Sequence, residues 1–461
     1  MSESKVLIIG MSDTGESIPA ASGRISTQAG TATEIFEKSV DNPKNPALIS
    51  KITRSGHNSV LEHTVYNIAF ENVSVFCEQF IIEFRLASFT VKSRRYVDFA
   101  DAGFYTPSAL EGEAAELYDS TMRSFFVDYS RLLELGIPKE DARFVLPYCL
   151  YSNFFCTANA RELLRMIDSM LRGRGSVFPE LRAIGENLLA QITELTPGIA
   201  ASLENVRRHA VRDREFPKPD LPDTGCCSAA DVPDVEMLSC TPDADLCVAR
   251  SCLAGYAPMN AADTGLVLGN TDNINALVDW AVHTDRARAL ECVNCTFAVR
   301  GVSLSTLTHF TRHRMQSLIA PGLELTDRNT RIMPESVKNN ETALGIYTDA
   351  FLRLDALYKD LLGRGVPCSD LVYCQLSGNT VDIVITMNAR ELRLFFALRT
   401  CSRAQWEIRR LADLMLKEAR RAAPRIFNCF GPSCYTFGEC PEGAMTCGRA
   451  AEMRKKYSAA N

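Results

Sequence analysis

One internal self-similarity constrains this chain more than any other feature. The segment TANAREL at 157–163 recurs as TMNAREL at 386–392, an offset of 229 residues. The same offset pairs Leu61-Glu62 with Leu290-Glu291, Ser74 with Ser303, and Arg85 with Arg314. It also pairs Ser88 with Ser317, Tyr129 with Tyr358, and Gly136-Ile137-Pro138 with Gly365-Val366-Pro367. A constant offset over so long a span marks a duplicated unit, and its period is that of a domain rather than a solenoid. The 461 residues therefore divide into two copies, 1–214 and 233–428, with a Cys-rich tail at 429–461. The Pro- and Asp-rich stretch 215–232 between the copies has the composition of an exposed linker.

Composition narrows the function classes. Fifty Lys and Arg stand against 56 Asp and Glu, a net charge of −6. That balance excludes a chain built to coat nucleic acid or an anionic membrane, while leaving room for a local basic pocket. No run reaches the roughly 18 apolar residues of a membrane span. The opening MSESKVLIIG lacks a signal-peptide pattern. With 17 cysteines, the expectation is a reducing, cytoplasmic setting with most thiols free and buried. Four of them, Cys429, Cys434, Cys440 and Cys447, crowd into the tail. Their spacing is not the paired C-x2-C form, so a zinc or iron–sulfur knot and a set of loose thiols are equally good readings.

The two copies read in the same order. A β-like run opens each (KVLIIG; DVEML), followed by a helical region (ALISKITRSG; NALVDWAVHT). Alternating apolar residues in TVYNIAFENVSVF and VNCTFAVRGVSLS predict strands. A helix is then expected to carry EQFIIEFRLAS or THFTRHRMQS, and two longer amphipathic helices close each copy.

Three cationic clusters carry the candidate chemistry. Arg312-His313-Arg314, with Ser317 beyond, suits an anion or an electron-rich ring. A solvated basic helix face is the alternative, and the apolar flanks TLTHF and LIAPGL weigh against it. Ser93-Arg94-Arg95-Tyr96 offers a hydroxyl, two guanidiniums and an aromatic, enough to hold a phosphate and stack a base, or else a charged edge segment. Asn388-Ala389-Arg390 opens a helix on which Arg399 shares roughly one face with Asn388. Glu407 and Arg409, further on, read as plain surface residues. His57 and His63 lie six apart, which does not match a helical metal pair, so a structural or cofactor-contact role is favoured.

Together these clusters resemble the flavin-dependent thymidylate synthases. That family carries an R-H-R-x7-S signature, a following S-x-R-Y, an upstream H-x-x-x-x-E-H, and a downstream N-A-R with L-R-x4-A-Q-x-E-I. The resemblance implies an α+β fold of two tandem copies of the family fold, with a mixed sheet and long helices, plus the tail. It implies FAD as cofactor, with NADPH and methylene-tetrahydrofolate as co-substrates in the reductive methylation of dUMP to dTMP. It implies a homodimer that mimics the family tetramer, with nucleotide and folate as partners and neither nucleic acid nor membrane. Carried over residue by residue, Arg399 becomes the catalytic arginine. Ser93, Arg95, Arg143, His309 and Arg312 contact the substrate. Ser59, Glu62, Arg312, His313, Arg314, Asn388 and Arg390 contact the cofactor. No metal ligand is assigned outside the tail.

The copies depart from the family differently. The first has Glu83-Phe84-Arg85 in place of R-H-R but keeps Ser93, Arg95 and Tyr96. The second keeps R-H-R but has Gly322 at the serine position and Val372 opposite Arg143. The expectation is therefore a composite site, drawing Arg312 and Arg399 from the second copy and Ser93, Arg95 and Arg143 from the first. Arg172 is then the degenerate counterpart of Arg399. The alternative is a flavin- or nucleotide-binding relative that is non-catalytic or acts on another pyrimidine nucleotide.

Overall fold

In β2 (Val65–Ser74), Tyr66, Ile68 and Phe70 turn inward while Asn67 and Glu71 face out, the period-two pattern of a half-buried strand. The computed structural model describes residues 4–206, 234–285, 287–326, 328 and 330–459. The expected linker 215–232 lies outside these residues.

The duplication is visible element by element. In the first copy, β1 (Lys5–Met11), β2, β4 (Tyr151–Asn159) and β3 (Ser88–Val91) form a sheet in that order. In the second, β5 (Val235–Cys240), β6 (Asn294–Ser303), β8 (Thr380–Asn388) and β7 (Gln316–Ile319) repeat it. The α+β class is as expected, but every strand pair is antiparallel, so the sheets are not mixed. β4 and β8 were not expected from the sequence, nor were the 23-residue helices Gly112–Glu134 and Glu341–Gly363.

The molecule forms two compact units that do not follow the copies. One comprises residues 1–222 with 333–377; the other comprises 223–332 with 378–461. Within the first unit, the Gly112–Glu134 and Glu341–Gly363 helices pack together, and Arg353 pairs with the buried Asp128. The Tyr148 amide donates to the Gln375 carbonyl and the Ser377 amide to the Leu146 carbonyl, each at 2.9 Å. Both donors and both acceptors are related by the 229 offset, so this bridge has a local pseudo-two-fold. Among the described residues, no helix is long and apolar enough to cross a membrane.

Candidate active site

In the second unit, the expected helix through THFTRHRMQS stops early. It spans Leu304–Phe310, and Arg312-His313-Arg314 forms the turn into β7. The helix is anchored at its start, where the Ser303 side chain caps it by accepting from the Thr306 amide. Glu407 has no exposed surface, and its carboxylate accepts from the Ser303 amide (2.8 Å) and hydroxyl (2.5 Å) and from the Thr306 hydroxyl (2.8 Å). The sequence reading of Glu407 as a surface residue is thus corrected: a carboxylate beside a helix N-terminus is stabilised there, which sequence spacing does not reveal. Arg409, half-buried, donates to the Ser402 carbonyl at 3.0 Å and is not a plain surface residue either.

The turn places its three cationic residues differently. Arg312 and Arg314 are exposed; His313 between them is buried. Arg399, the last residue of the Ala389–Arg399 helix, donates through Nε to His313 Nε2 at 3.1 Å and through an Nη to the His309 carbonyl at 3.3 Å. His313 Nδ1 lies 2.8 Å from Glu391 Oε1. A guanidinium only donates, so the Nε2 facing it accepts and the proton sits on Nδ1, directed at Glu391. The result is a relay, Glu391 to His313 to Arg399, that fixes where the guanidinium points.

Asn388, expected as a cofactor contact, has a structural role at the start of its helix. Its side chain caps the Ala389–Arg399 helix, accepting from the Glu391 amide at 2.9 Å. Arg390 pairs with Glu291 at 2.5 Å. The first copy repeats both features: Asn159 caps its helix, and Arg161 pairs with Glu62 at 2.5 Å. Ser59 and Glu62 both sit, exposed, on the turn Asn58–His63. Glu391 was missed by sequence reasoning, although its place in the repeated N-A-R-E-L was a signal.

The substrate residues expected from the first copy gather in the first unit. Arg95 pairs with Glu140 at 2.9 Å, and Arg143, buried, donates to the Glu140 carbonyl at 3.1 Å. The Ser93 hydroxyl accepts from the Arg95 amide at 3.3 Å. Arg94 turns inward to a buried pair with Glu78 at 2.7 Å, whereas Tyr96 is 61% exposed. Arg95 and Arg143 thus converge on Glu140, another residue the sequence reading did not single out, and Ser93 touches the Arg95 backbone.

The first copy's version of the turn is rewired. Glu83 pairs with Arg174, and Phe84, at the position of His313, packs against Phe80. Arg172 pairs with Asp168 and Glu204. The Ala160 and Ala389 helices start at the 229 offset, whereas the following helices, Pro179–Leu195 and Trp406–Ala422, start at 227. One of the two extra residues lengthens the first copy's helix, 12 residues against 11, and the other lies in its connection, so Met170, not Arg172, occupies Arg399's place counted from the helix start. In the second copy, Glu324 stands where the offset puts Arg95. A Cβ on Gly322 would meet the Glu324 carboxylate at 2.2 Å, so a serine cannot be accommodated there unless Glu324 moves.

Burial is the main influence on the buried acids. It pushes the Glu407 carboxyl upward, against the opposing bonds from Ser303 and Thr306. Glu180, which accepts from the Ser74 amide and the Tyr373 hydroxyl at 2.8 Å each, is raised for the same reason.

The tail cysteines have two readings, and the structure does not gather all four into one group. Cys434, buried, has Cys401, Cys440 and Cys447 as electrostatic neighbours, whereas Cys429 faces Asp279, Arg420 and Arg425. Among the described residues, no group of three or more His, Cys, Asp or Glu is arranged to hold a metal ion. The tail instead packs on the end of the Arg399 helix: the Ser433 hydroxyl donates to the Ala397 carbonyl (3.2 Å) and Tyr457 to that of Thr400 (3.2 Å).

Comparison with known proteins matches both copies. The family described as thymidylate synthase complementing protein matches residues 7–198 and again 236–425. A flavin-dependent thymidylate synthase of Geobacter sulfurreducens is 35% identical over 227 residues, covering 48% of this chain and 97% of the relative. One of Clostridium tetani is 34% identical over 245 residues, covering 48% and 96%. A solved structure, a UMP/dUMP methylase PolB from Streptomyces cacaoi bound with 5-Br dUMP, is similar at 25% identity and a TM-score of 0.36, covering 44% of this chain and 96% of its own. Each whole relative spans about half of this chain, and the family matches twice in succession. The chain is therefore a tandem-fused member of the thymidylate synthase complementing protein family.

Proposed function

We propose that this protein is a flavin-dependent thymidylate synthase that converts dUMP to dTMP with FAD, methylene-tetrahydrofolate and NADPH. The observation that carries the reading is the Glu391–His313–Arg399 relay, present in the copy that keeps the complete R-H-R turn. A neutral histidine braced by a carboxylate holds Arg399 in one orientation. In that orientation the guanidinium can stabilise negative charge developing on the pyrimidine N3 without reorganising.

The donor set fits a flavin nucleotide. Arg312 and Arg314 are exposed on either side of buried His313, which suits a pyrophosphate and the edge of a planar ring. When bound, the reduced flavin supplies the hydride that completes the methyl group. Ser93, Arg95 and Arg143 are the complementary phosphate-binding set, with Glu140 bracing both arginines. A site composed of these two sets needs no nucleophile on the pyrimidine. Two chains would supply two such sites, and the rewired turn at Glu83 would be silent.

The test is direct. The purified protein should show flavin absorbance and form dTMP from dUMP, methylene-tetrahydrofolate and NADPH. A colourless protein that takes up no added FAD refutes the reading. Bound flavin without dTMP formation identifies a non-catalytic relative or one acting on another pyrimidine.

A further inference from the structure

The proposed chemistry leaves unused a pair of thiols on the second sheet. β5 is an edge strand, and its last residue, Cys240, lies in register with Cys295 on β6. The two sulfurs are 3.4 Å apart. Cys295 is fully buried and Cys240 half-buried. The equivalent pair in the first copy is Met11 with Tyr66, so the dithiol belongs to the second copy alone.

The geometry favours a covalent bond. Cα atoms directly opposite on antiparallel strands lie about 4.5–5.5 Å apart, inside the range a disulfide spans. Closing the sulfurs to roughly 2.05 Å needs a movement that side-chain rotation supplies, with the backbone in place. The thiols are also unequal. Hydrogen bonds from Cys295 and from the Thr241 amide lower Cys240 to about 7, while its neighbour and burial push Cys295 upward. Cys240, half-buried on the edge strand, is also the thiol that a small solute reaches first, with Cys295 fully buried beside it.

We propose that Cys240 and Cys295 are a modification site, a dithiol that a hydroperoxide oxidises to a cross-strand disulfide. The Cys240 thiolate attacks one peroxide oxygen. An S–O bond forms as the O–O bond breaks, and the departing oxygen takes a proton to leave as water or an alcohol. The Cys295 sulfur then attacks the sulfenic sulfur, the S–S bond forms, and the S–O oxygen leaves as water with the Cys295 proton. The two thiols lose two electrons, which the peroxide accepts. The bond fastens edge strand β5 to β6, whose other end, Ser303, caps the helix carrying His309.

The site is tested on the full chain, independently of the enzymatic reading. Substoichiometric hydrogen peroxide, quenching with N-ethylmaleimide and peptide mapping should yield a Cys240–Cys295 cross-link as the first product. Roughly two thiols should be lost per peroxide consumed, and dithiothreitol should restore them. Cys295→Ala should stop the reaction at a sulfenic acid on Cys240 that dimedone captures, and Cys240→Ser should remove both products. A first cross-link elsewhere, or a Cys240 that stays reduced while other thiols oxidise, overturns the proposal; the wild-type map decides this even if a variant fails to fold.

Discussion

The same turn is built twice in this molecule and put to opposite uses. In the second copy it reads Arg312-His313-Arg314, with the histidine buried between Glu391 and Arg399. In the first it reads Glu83-Phe84-Arg85, with Glu83 paired to Arg174 and Phe84 packed on Phe80. The scaffold beneath is unchanged: in both, a serine caps the helix before the turn and a buried glutamate from a later helix holds that serine's amide. Duplication preserved the parts that hold the helix in place and let the charged tip diverge. The loss is reciprocal, since the second copy carries Glu324 where the first has Arg95.

The largest test of this contrast is loss of either half of the proposed site. Arg399→Ala and Arg95→Ala should each lower kcat/KM for dTMP formation by about 10²–10³-fold, the scale of losing a preorganised cationic donor. Comparable activity in either variant would break the composite arrangement.

The buried anchor comes next, read in stability. Glu407→Ala should lower unfolding stability by about 2–4 kcal/mol, because the Ser303 amide and two hydroxyls lose their acceptor. Denaturant unfolding measures it. Glu407→Gln adds a pH signature. Burial raises the Glu407 carboxyl above its ordinary value of 4.5, so the folded chain retains a proton that the unfolded chain has released. Stability contributed by this group therefore falls as pH rises from 4.5 through the raised value, and the Gln variant should flatten that slope.

A smaller effect separates positioning from binding. Glu391→Gln should cut kcat roughly tenfold, less than removing the donor itself, with KM for dUMP little changed. An equal loss in KM would make Glu391 a binding residue instead. The smallest effect is expected in the rewired copy. Arg172→Ala should change turnover by no more than about twofold, since its partners are Asp168 and Glu204, within its own copy, and neither belongs to the proposed site. A loss matching that of Arg399→Ala would show that both copies work.

Much of this was legible without coordinates, and the reason is local. The strands through TVYNIAF and VNCTFAV and the helices after N-A-R depend on periodicity and capping, which neighbouring residues encode, and the 229 offset is read from residue identity alone. The 23-residue helices carry no cationic cluster, so no motif marks them in the sequence. Glu407 was misread because one charged residue near a helix start looks alike whether it faces water or a serine that is distant in sequence.

The sequence by itself determined the duplication, the α+β class and the unequal decay of the two copies, since each is written in residue identity and spacing. Only the tertiary structure decided what those residues do to one another. It made Asn388 a cap, placed Glu391 behind His313, brought Arg95 and Arg143 to Glu140, removed Cys429 from the other tail cysteines, and brought Cys240 to Cys295. Those contacts depend on three-dimensional packing between segments far apart in the chain, and no local pattern encodes which distant partner a buried polar group will find.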